Sequence, residues 1–201
     1  MSSNSPSDLP GDQAQAAFAK PEELRPVNLR ALTPFQRALL VIDGTVTKFI
    51  EAYTLEPVKV VTLAQGPWSP DEAEQWGALA EDSDEPGKVL KREVIIEGRY
   101  SGLLYVYALS YIMADRLPEA LRGRIGLQGE GIGRLLEELG VESRREVLWF
   151  GRERTEKVPD VVRDNGHREF VTRAYRIIME GKPLVLITER FPLSAQPAFR
   201  P

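Results

Sequence analysis

Two charged side chains stand on strand faces that are otherwise apolar. Side chains alternate between the two faces of a strand, and this alternation places Arg92 on the apolar face of the predicted strand Leu90 to Glu97. It places Glu189 in the same way within the predicted strand Leu184 to Phe191. A buried charge is costly unless it is paired or hydrogen-bonded. Either the two charges pair with each other, or the strand ends reach solvent, or the sheet holds a small polar pocket.

In such a pocket the two residue types suit different tasks. The planar guanidinium of Arg92 can bind a carboxylate through two parallel hydrogen bonds. A partly buried carboxylate such as Glu189 can accept a hydrogen bond or act as a base, because desolvation moves a carboxyl group toward the range useful for proton transfer.

A glycine-rich segment precedes a predicted helix at Gly131 to Leu139. Backbone N–H groups at the start of a helix form an anion site, so the segment is either a carboxylate-binding loop or a flexible turn. Arg134 stands where a dinucleotide fingerprint needs its third glycine, and no Gly-Lys-Ser/Thr occurs, so neither a Rossmann motif nor a P-loop is indicated. The glycines are Gly126, Gly129, Gly131 and Gly133.

The amino-acid composition excludes several classes of protein and of catalytic site. The chain has 201 residues and a net charge of −4, without the basic footprint of a nucleic-acid-binding protein. It has no cysteine and a single histidine, His167, which excludes disulfides, thiolate chemistry and a histidine-rich metal centre. No apolar run reaches the roughly 18–20 residues of a membrane span, and the start lacks the pattern of a signal peptide. We therefore expect a cytoplasmic protein with no metal and no nucleic-acid partner, either a monomer or a small homo-oligomer.

The elements that must position these residues are short helices and antiparallel hairpins. Residues 1–25 are rich in polar residues and proline and predict a disordered tail, and residues 26–201 predict one domain. Gly66 to Gly87 reads as a long loop that carries an acidic cluster from Glu81 to Glu85, with one helix near Asp71 to Leu79. Hairpins without strict βαβ alternation favour an α+β fold with a mostly antiparallel sheet. The predicted strands are Val58 to Leu63, Leu90 to Glu97, Leu103 to Ile112, Glu146 to Glu153, Phe170 to Met179 and Pro183 to Phe191; the predicted helices begin at Thr33-Pro34, Thr45, Pro118 and Gly131; Val158 to Arg168 is predicted as a loop.

Four segments together resemble the chorismate pyruvate-lyase (4-hydroxybenzoate synthase) family, especially its divergent actinobacterial and cyanobacterial-type branch. Each motif alone is weak, but their order and spacing over roughly Leu32 to Pro192 make the set specific. The segments are Ile42-Asp43-Gly44-Thr45-Val46-Thr47-Lys48, Leu90-Lys91-Arg92-Glu93-Val94-Ile95-Ile96, Gly131-Ile132-Gly133-Arg134-Leu135-Leu136, and Tyr175-Arg176-Ile177-Ile178 with Gly181-Lys182-Pro183 and Leu186-Ile187-Thr188-Glu189-Arg190-Phe191.

The resemblance implies a single six-stranded antiparallel sheet with helices packed on it and a small internal ligand site. It implies a lyase that needs no cofactor and converts chorismate into 4-hydroxybenzoate and pyruvate, for a quinone or a phenolic lipid. The resemblance implies that two positions that contact ligand in the family fall on the inward charges Arg92 and Glu189, which makes them the candidate catalytic residues. The expected substrate-binding residues are Val46, Thr47, Arg92, Gly131, Ile132, Gly133 and Glu189.

Two other classes of function fit the same fold. The effector domains of one class of GntR-type transcription regulators share it, so the chain could bind a small carboxylate without turning it over. Such domains normally follow a winged helix, for which the segment before Pro26 is too short. The other hypothesis is a structural module with a buried Arg–Glu pair and no affinity for small molecules.

Overall fold

The computed structural model describes residues 20–68, 89–125 and 130–194. Within these ranges six strands and five α-helices follow one another, with single 3₁₀ turns at Leu29–Ala31 and Ala114–Arg116. The strands are β1 (Val58–Pro67), β2 (Val89–Gly98), β3 (Leu104–Met113), β4 (Arg144–Arg154), β5 (Glu169–Met179) and β6 (Lys182–Pro192). The helices are α1 (Pro34–Val41), α2 (Val46–Thr54), α3 (Glu119–Arg122), α4 (Ile132–Glu138) and α5 (Asp160–Asp164).

The six strands form one sheet in the order β1-β2-β3-β6-β5-β4, and every neighbouring pair is antiparallel. Two three-stranded meanders therefore meet where β3 pairs with β6. This confirms the predicted α+β fold with a single six-stranded antiparallel sheet. The hairpin predicted at Glu180-Gly181 is present as a two-residue turn with both residues at positive φ, 51° and 78°, which matches the right-handed twist of its strands.

Helices α1 to α4 cover one face of the sheet and form the main core there. Phe35 and Leu39 of α1, Ile50 of α2 and Leu135 of α4 are each at most 3% exposed and pack on inward side chains of the strands. Burying each of these side chains contributes about 1.5–3 kcal/mol to folding. The helices are therefore fixed to the sheet by apolar contact, and their ends are held in place over it.

Helix α1 begins as the sequence predicts. Thr33 and Gln36 form a capping box at the start of α1, with Pro34 at its first position. The predicted start of α2 at Thr45 is also correct, but the Thr45 hydroxyl donates to Glu137 of α4 instead of capping its own helix. This hydrogen bond connects the N-terminal end of α2 to the C-terminal end of α4.

The N-terminal part of the described chain packs on the edge strand β4. Arg25 exchanges backbone hydrogen bonds of 2.8 and 2.9 Å with Arg152, and Leu24 is buried. A Cβ at Gly151 would lie 2.7 Å from the Arg25 carbonyl oxygen, so only glycine permits this approach. Packing thus begins just before Pro26; the tail predicted over 1–25 lies mainly outside the described residues.

Two further features concern the predicted loops. Val158 to Arg168 contains the short helix α5, whose buried Val162 packs on the face of the sheet opposite α1 to α4. A five-residue helix with a single buried residue, Val162, is too short to show a helical pattern of apolar residues. Strand β1 extends to Pro67, whereas the acidic cluster and the helix predicted near Asp71 to Leu79 lie outside the described residues. In the three described ranges, no helix combines the length and apolar character needed to cross a bilayer.

Candidate active site

Small side chains in the middle of the sheet make room for a cavity. Arg92 on β2 pairs with Ser110 on β3, and Ala108 on β3 pairs with Glu189 on β6. The two charged residues are thus separated by one strand that presents only Ala108 and Ser110 between them. Since neighbouring strands lie about 4.8 Å apart, their backbones are roughly 10 Å apart across the sheet, and the space above β3 stays open.

The cavity is closed from above by the first residues of two helices. Its volume is about 60 Å³. Among the described residues, no side chain caps the N-terminus of α2 or α4. The first N–H groups of both helices therefore lack a capping side chain, and the positive ends of both helix dipoles lie at the cavity wall. The lining residues are Gly44, Thr45, Val46, Thr47, Val60, Arg92, Val94, Ile96, Ala108, Ser110, Gly131, Ile132, Gly133, Arg134, Arg145, Tyr175, Ile187 and Glu189.

Arg92 is held at one side of the cavity without a carboxylate partner among the described residues. Only 1% of Arg92 is exposed. Its Nη2 donates to the Thr62 hydroxyl (3.2 Å) and to the Glu130 carbonyl (2.9 Å), while Nε is buried and has no partner in the part of the chain that the structure describes. Burial lowers the pKa of Arg92, and the nearby Glu130 charge only partly offsets this. Arginine nevertheless stays charged at neutral pH, so its free donor is available to an anion.

Glu189 is held by two residues of the neighbouring strand β5. Its Oε2 accepts from Arg173 Nε at 2.8 Å, and its Oε1 accepts from the Tyr175 hydroxyl at 3.1 Å. Both partners lie on β5, where Arg173 is directly opposite Glu189. The alternative of a direct Arg92–Glu189 pair is therefore wrong: each charge has its own environment, on different sides of the cavity.

The trio of Arg173, Tyr175 and Glu189 is a buried hydrogen-bonded unit. Burial raises the pKa of Tyr175 and the Glu189 charge raises it further, so its phenol remains a donor. Burial alone lowers the pKa of Arg173, but attraction to Glu189 and Tyr175 more than offsets this and the pKa is raised. The Glu189 side chain is thus oriented at the cavity wall by two donors, Arg173 and Tyr175.

All seven residues predicted to bind substrate line this one cavity. Arg92 and Glu189 come from the sheet, Val46 and Thr47 from the start of α2, and Gly131, Ile132 and Gly133 from the start of α4. The Thr47 hydroxyl is buried and has no hydrogen-bond partner among the described residues. The glycines at 126 and 129 lie outside the described residues.

Three functional candidates were missed. Arg173 stands on the apolar face of its strand, so the alternation that singled out Arg92 would also have found it. Tyr175 follows on the same face, but an inward tyrosine is ordinary packing. Arg145 gave no signal, because it lies at the start of the edge strand β4, where polar residues are expected.

Fold and site together define a class of protein: an α+β domain in which a single antiparallel sheet and two helix starts enclose a small cavity suited to anions. Comparison with known proteins makes this specific. The family model for chorismate pyruvate-lyase, Rv2949c-like, matches residues 40–198. The chain belongs to this family.

Mycobacterial relatives agree with the family match. The chain is 30% identical over 184 residues to a chorismate pyruvate-lyase of Mycobacterium tuberculosis, covering 87% of this chain and 85% of the relative. It is 28% identical over 169 residues to a chorismate pyruvate-lyase of Mycobacterium leprae, covering 81% and 76%.

Solved structures share the fold at much lower identity. PhnF from Mycobacterium smegmatis superposes with a TM-score of 0.57 at 12% identity, covering 78% of this chain and 67% of PhnF. The separate effector domain of PhnF gives a TM-score of 0.56 at 11% identity, with coverages of 76% and 91%. At these identities the similarity extends to the fold alone.

Proposed function

We propose that this protein eliminates pyruvate from chorismate to give 4-hydroxybenzoate, a precursor for a quinone or a phenolic lipid. Family membership supports the reaction class. The observation that carries the proposal is that the cavity presents buried polar groups without partners among the described residues: Nε of Arg92, Oγ1 of Thr47 and Nε of Arg145. Unpaired buried groups are costly in a folded protein, and a polar ligand would satisfy them.

The proposed roles follow from these positions. Arg92 binds the ring carboxylate, because it lines the cavity from β2 and its Nε has no partner among the described residues. Glu189 accepts a hydrogen bond from the ring hydroxyl on the other side, with its orientation fixed by Arg173 and Tyr175. The uncapped backbone at Ile132 and Gly133 donates to an anionic oxygen.

The proposed elimination is balanced without a metal or a coenzyme. The C–H bond at the hydroxyl-bearing ring carbon breaks, its electron pair enters the ring, and the ether C–O bond breaks so that enolpyruvate leaves. The lost hydrogen is balanced by the one that enolpyruvate gains at its methylene carbon on becoming pyruvate. Aromaticity of the ring drives the step, and preorganised donors in a dry cavity stabilise the charge that develops on the departing oxygen. The proposal therefore needs no metal and no coenzyme.

The direct test is to mix the purified protein with chorismate after treatment with a chelator, without coenzyme. We expect 4-hydroxybenzoate and pyruvate in equal amounts, measured by chromatography and a coupled pyruvate assay. Tight binding of 4-hydroxybenzoate without turnover would instead favour an effector-sensing domain, the function suggested by the fold shared with PhnF. If the protein shows neither turnover nor binding, the hypothesis that remains is a structural module.

Glu189→Gln tests the role of the carboxylate. Both oxygens of Glu189 already accept from the protein, which favours an orienting role over proton abstraction. We expect kcat to fall by roughly tenfold to a hundredfold, since a neutral amide accepts a weaker hydrogen bond than a carboxylate. A fall approaching about 10⁴-fold, the upper range for a general base, would assign the ring proton to Glu189 instead.

Ala108→Leu tests whether the space above β3 is the ligand site. The larger side chain should fill the cavity floor and weaken 4-hydroxybenzoate binding by more than about a hundredfold, because the ligand ring and the leucine cannot occupy the same volume. Isothermal titration calorimetry measures the change. Leu109→Met, on the opposite face of the same strand, is the matched control and should bind normally. Unchanged binding by Ala108→Leu would place the ligand elsewhere.

A further inference from the structure

Arg145 reaches the cavity from the edge of the sheet. Its Nη1 donates to the Asp43 carbonyl at 3.2 Å, and its Nε is buried without a partner among the described residues. A Cβ built on Gly133 would lie 3.1 Å from Arg145 Nη2, so the guanidinium lies against the start of α4. Arg145 lines both the cavity and the groove just outside it, and it therefore stands at the cavity mouth.

The carboxylate near Arg145 is already engaged. Glu137 of α4 accepts from Thr45 and forms an ion pair with Lys48. Arg145 contributes to lowering the pKa of Glu137, but as the weakest cause, after the hydrogen bonds of Lys48 and Thr45. Among the described residues no carboxylate forms a hydrogen bond with Arg145.

The charges that line the cavity do not cancel within the protein. Glu189 forms a buried ion pair with Arg173, and Arg134 shares the exposed carboxylate of Glu138 with Arg124. Arg92 and Arg145 are left, both without a carboxylate bound to them among the described residues. They lie on β2 and β4, four strand spacings or about 19 Å apart at the backbone, and their long side chains approach the cavity from opposite sides. Within the part of the chain that the structure describes, Arg92 and Arg145 are thus cavity-lining cations that no carboxylate contacts through a hydrogen bond or ion pair.

We infer that Arg145 binds the second carboxylate of a dianionic substrate, the one on the enolpyruvyl side chain. The inference rests on the proposed function and extends it to the side chain that leaves. Arg92 and Arg145 together neutralise a dicarboxylate, whereas 4-hydroxybenzoate carries one carboxylate and uses Arg92 alone. Arg145 is a specificity-determining residue that favours the substrate over its aromatic product.

Arg145→Ala should separate substrate from product. We expect the KM for chorismate to rise by roughly 10- to 100-fold, as for loss of a hydrogen bond to a charged group. The kcat should change little, because the carboxylate is bound alike in the ground state and the transition state. The Kd of 4-hydroxybenzoate, measured by calorimetry, should stay within about threefold of the wild-type value. Arg145→Lys should recover part of the loss, since it restores the charge without the planar donors.

Arg144→Ala is the matched control. The Arg144 side chain, next to Arg145 in the sequence, is 67% exposed, and among the described residues its ion pair is with Glu146. It should behave as the wild type, and thermal unfolding should show that both variants are folded. Wild-type turnover with no change in KM for Arg145→Ala would overturn the inference alone, as would equal weakening of chorismate and 4-hydroxybenzoate. Absence of both turnover and chorismate binding in the wild type would overturn the proposed function and the inference together.

Discussion

Replacing Arg92 with alanine should lower kcat/KM for chorismate by somewhat more than a hundredfold, or about 3 kcal/mol of transition-state stabilisation. Arg92 supplies the charge on its side of the cavity, and its Nε has no other partner among the described residues. A water molecule in its place cannot neutralise the ring carboxylate inside a low-dielectric cavity. Steady-state kinetics with chorismate measures the effect, and calorimetry should show a parallel loss of 4-hydroxybenzoate binding.

Two variants keep this result interpretable. Arg99→Ala removes an exposed arginine just beyond the same strand and should leave kcat/KM unchanged. Arg92→Lys should fall between alanine and the wild type, because an ammonium group retains the charge but lacks the planar fork. If Arg92→Ala remains folded and turns over chorismate at the wild-type rate, the assignment of Arg92 is wrong.

Arg173→Met should reduce the free energy of unfolding by about 3–5 kcal/mol, because it leaves the Glu189 carboxylate buried without its cation. The side chains of Arg173 and Glu189 are only 1% and 6% exposed, and their ion pair is 2.8 Å long. Urea denaturation measures the change. Arg176→Met, on the opposite face of the same strand and paired with the more exposed Glu146, is the control and should lose no more than about 1 kcal/mol.

The double variant Arg173→Met, Glu189→Gln identifies the cause. With neither charge of this pair left in the core, most of the lost stability should return, so the two substitutions should be far from additive. If Arg173→Met is as stable as the wild type, or if Glu189→Gln does not restore stability, the ion pair does not hold this part of the sheet. The same cycle tests whether the Glu189 side chain has a structural role in addition to its proposed role in the cavity.

The sequence by itself determined the strands, most of the helices, and which way Arg92 and Glu189 face. These are local properties: the period of two along a strand and the capping residues Thr33 and Pro34 act within a few residues of the chain. The family motifs also indicated the overall fold, because their order along the chain reflects a shared fold. The same local alternation also contained Arg173, on the apolar face of β5.

Only the tertiary structure decided which charges meet. Glu189 pairs with Arg173 and not with Arg92 because β5, and not β2, lies beside β6 in the sheet, and strand order depends on contacts distant in sequence. The gathering of two uncapped helix starts over Ala108 and Ser110, and the arrival of Arg145 from an edge strand, likewise depend on how helices pack on the sheet. Local sequence fixes the direction of a side chain; the free energy of packing distant elements together fixes what that side chain touches.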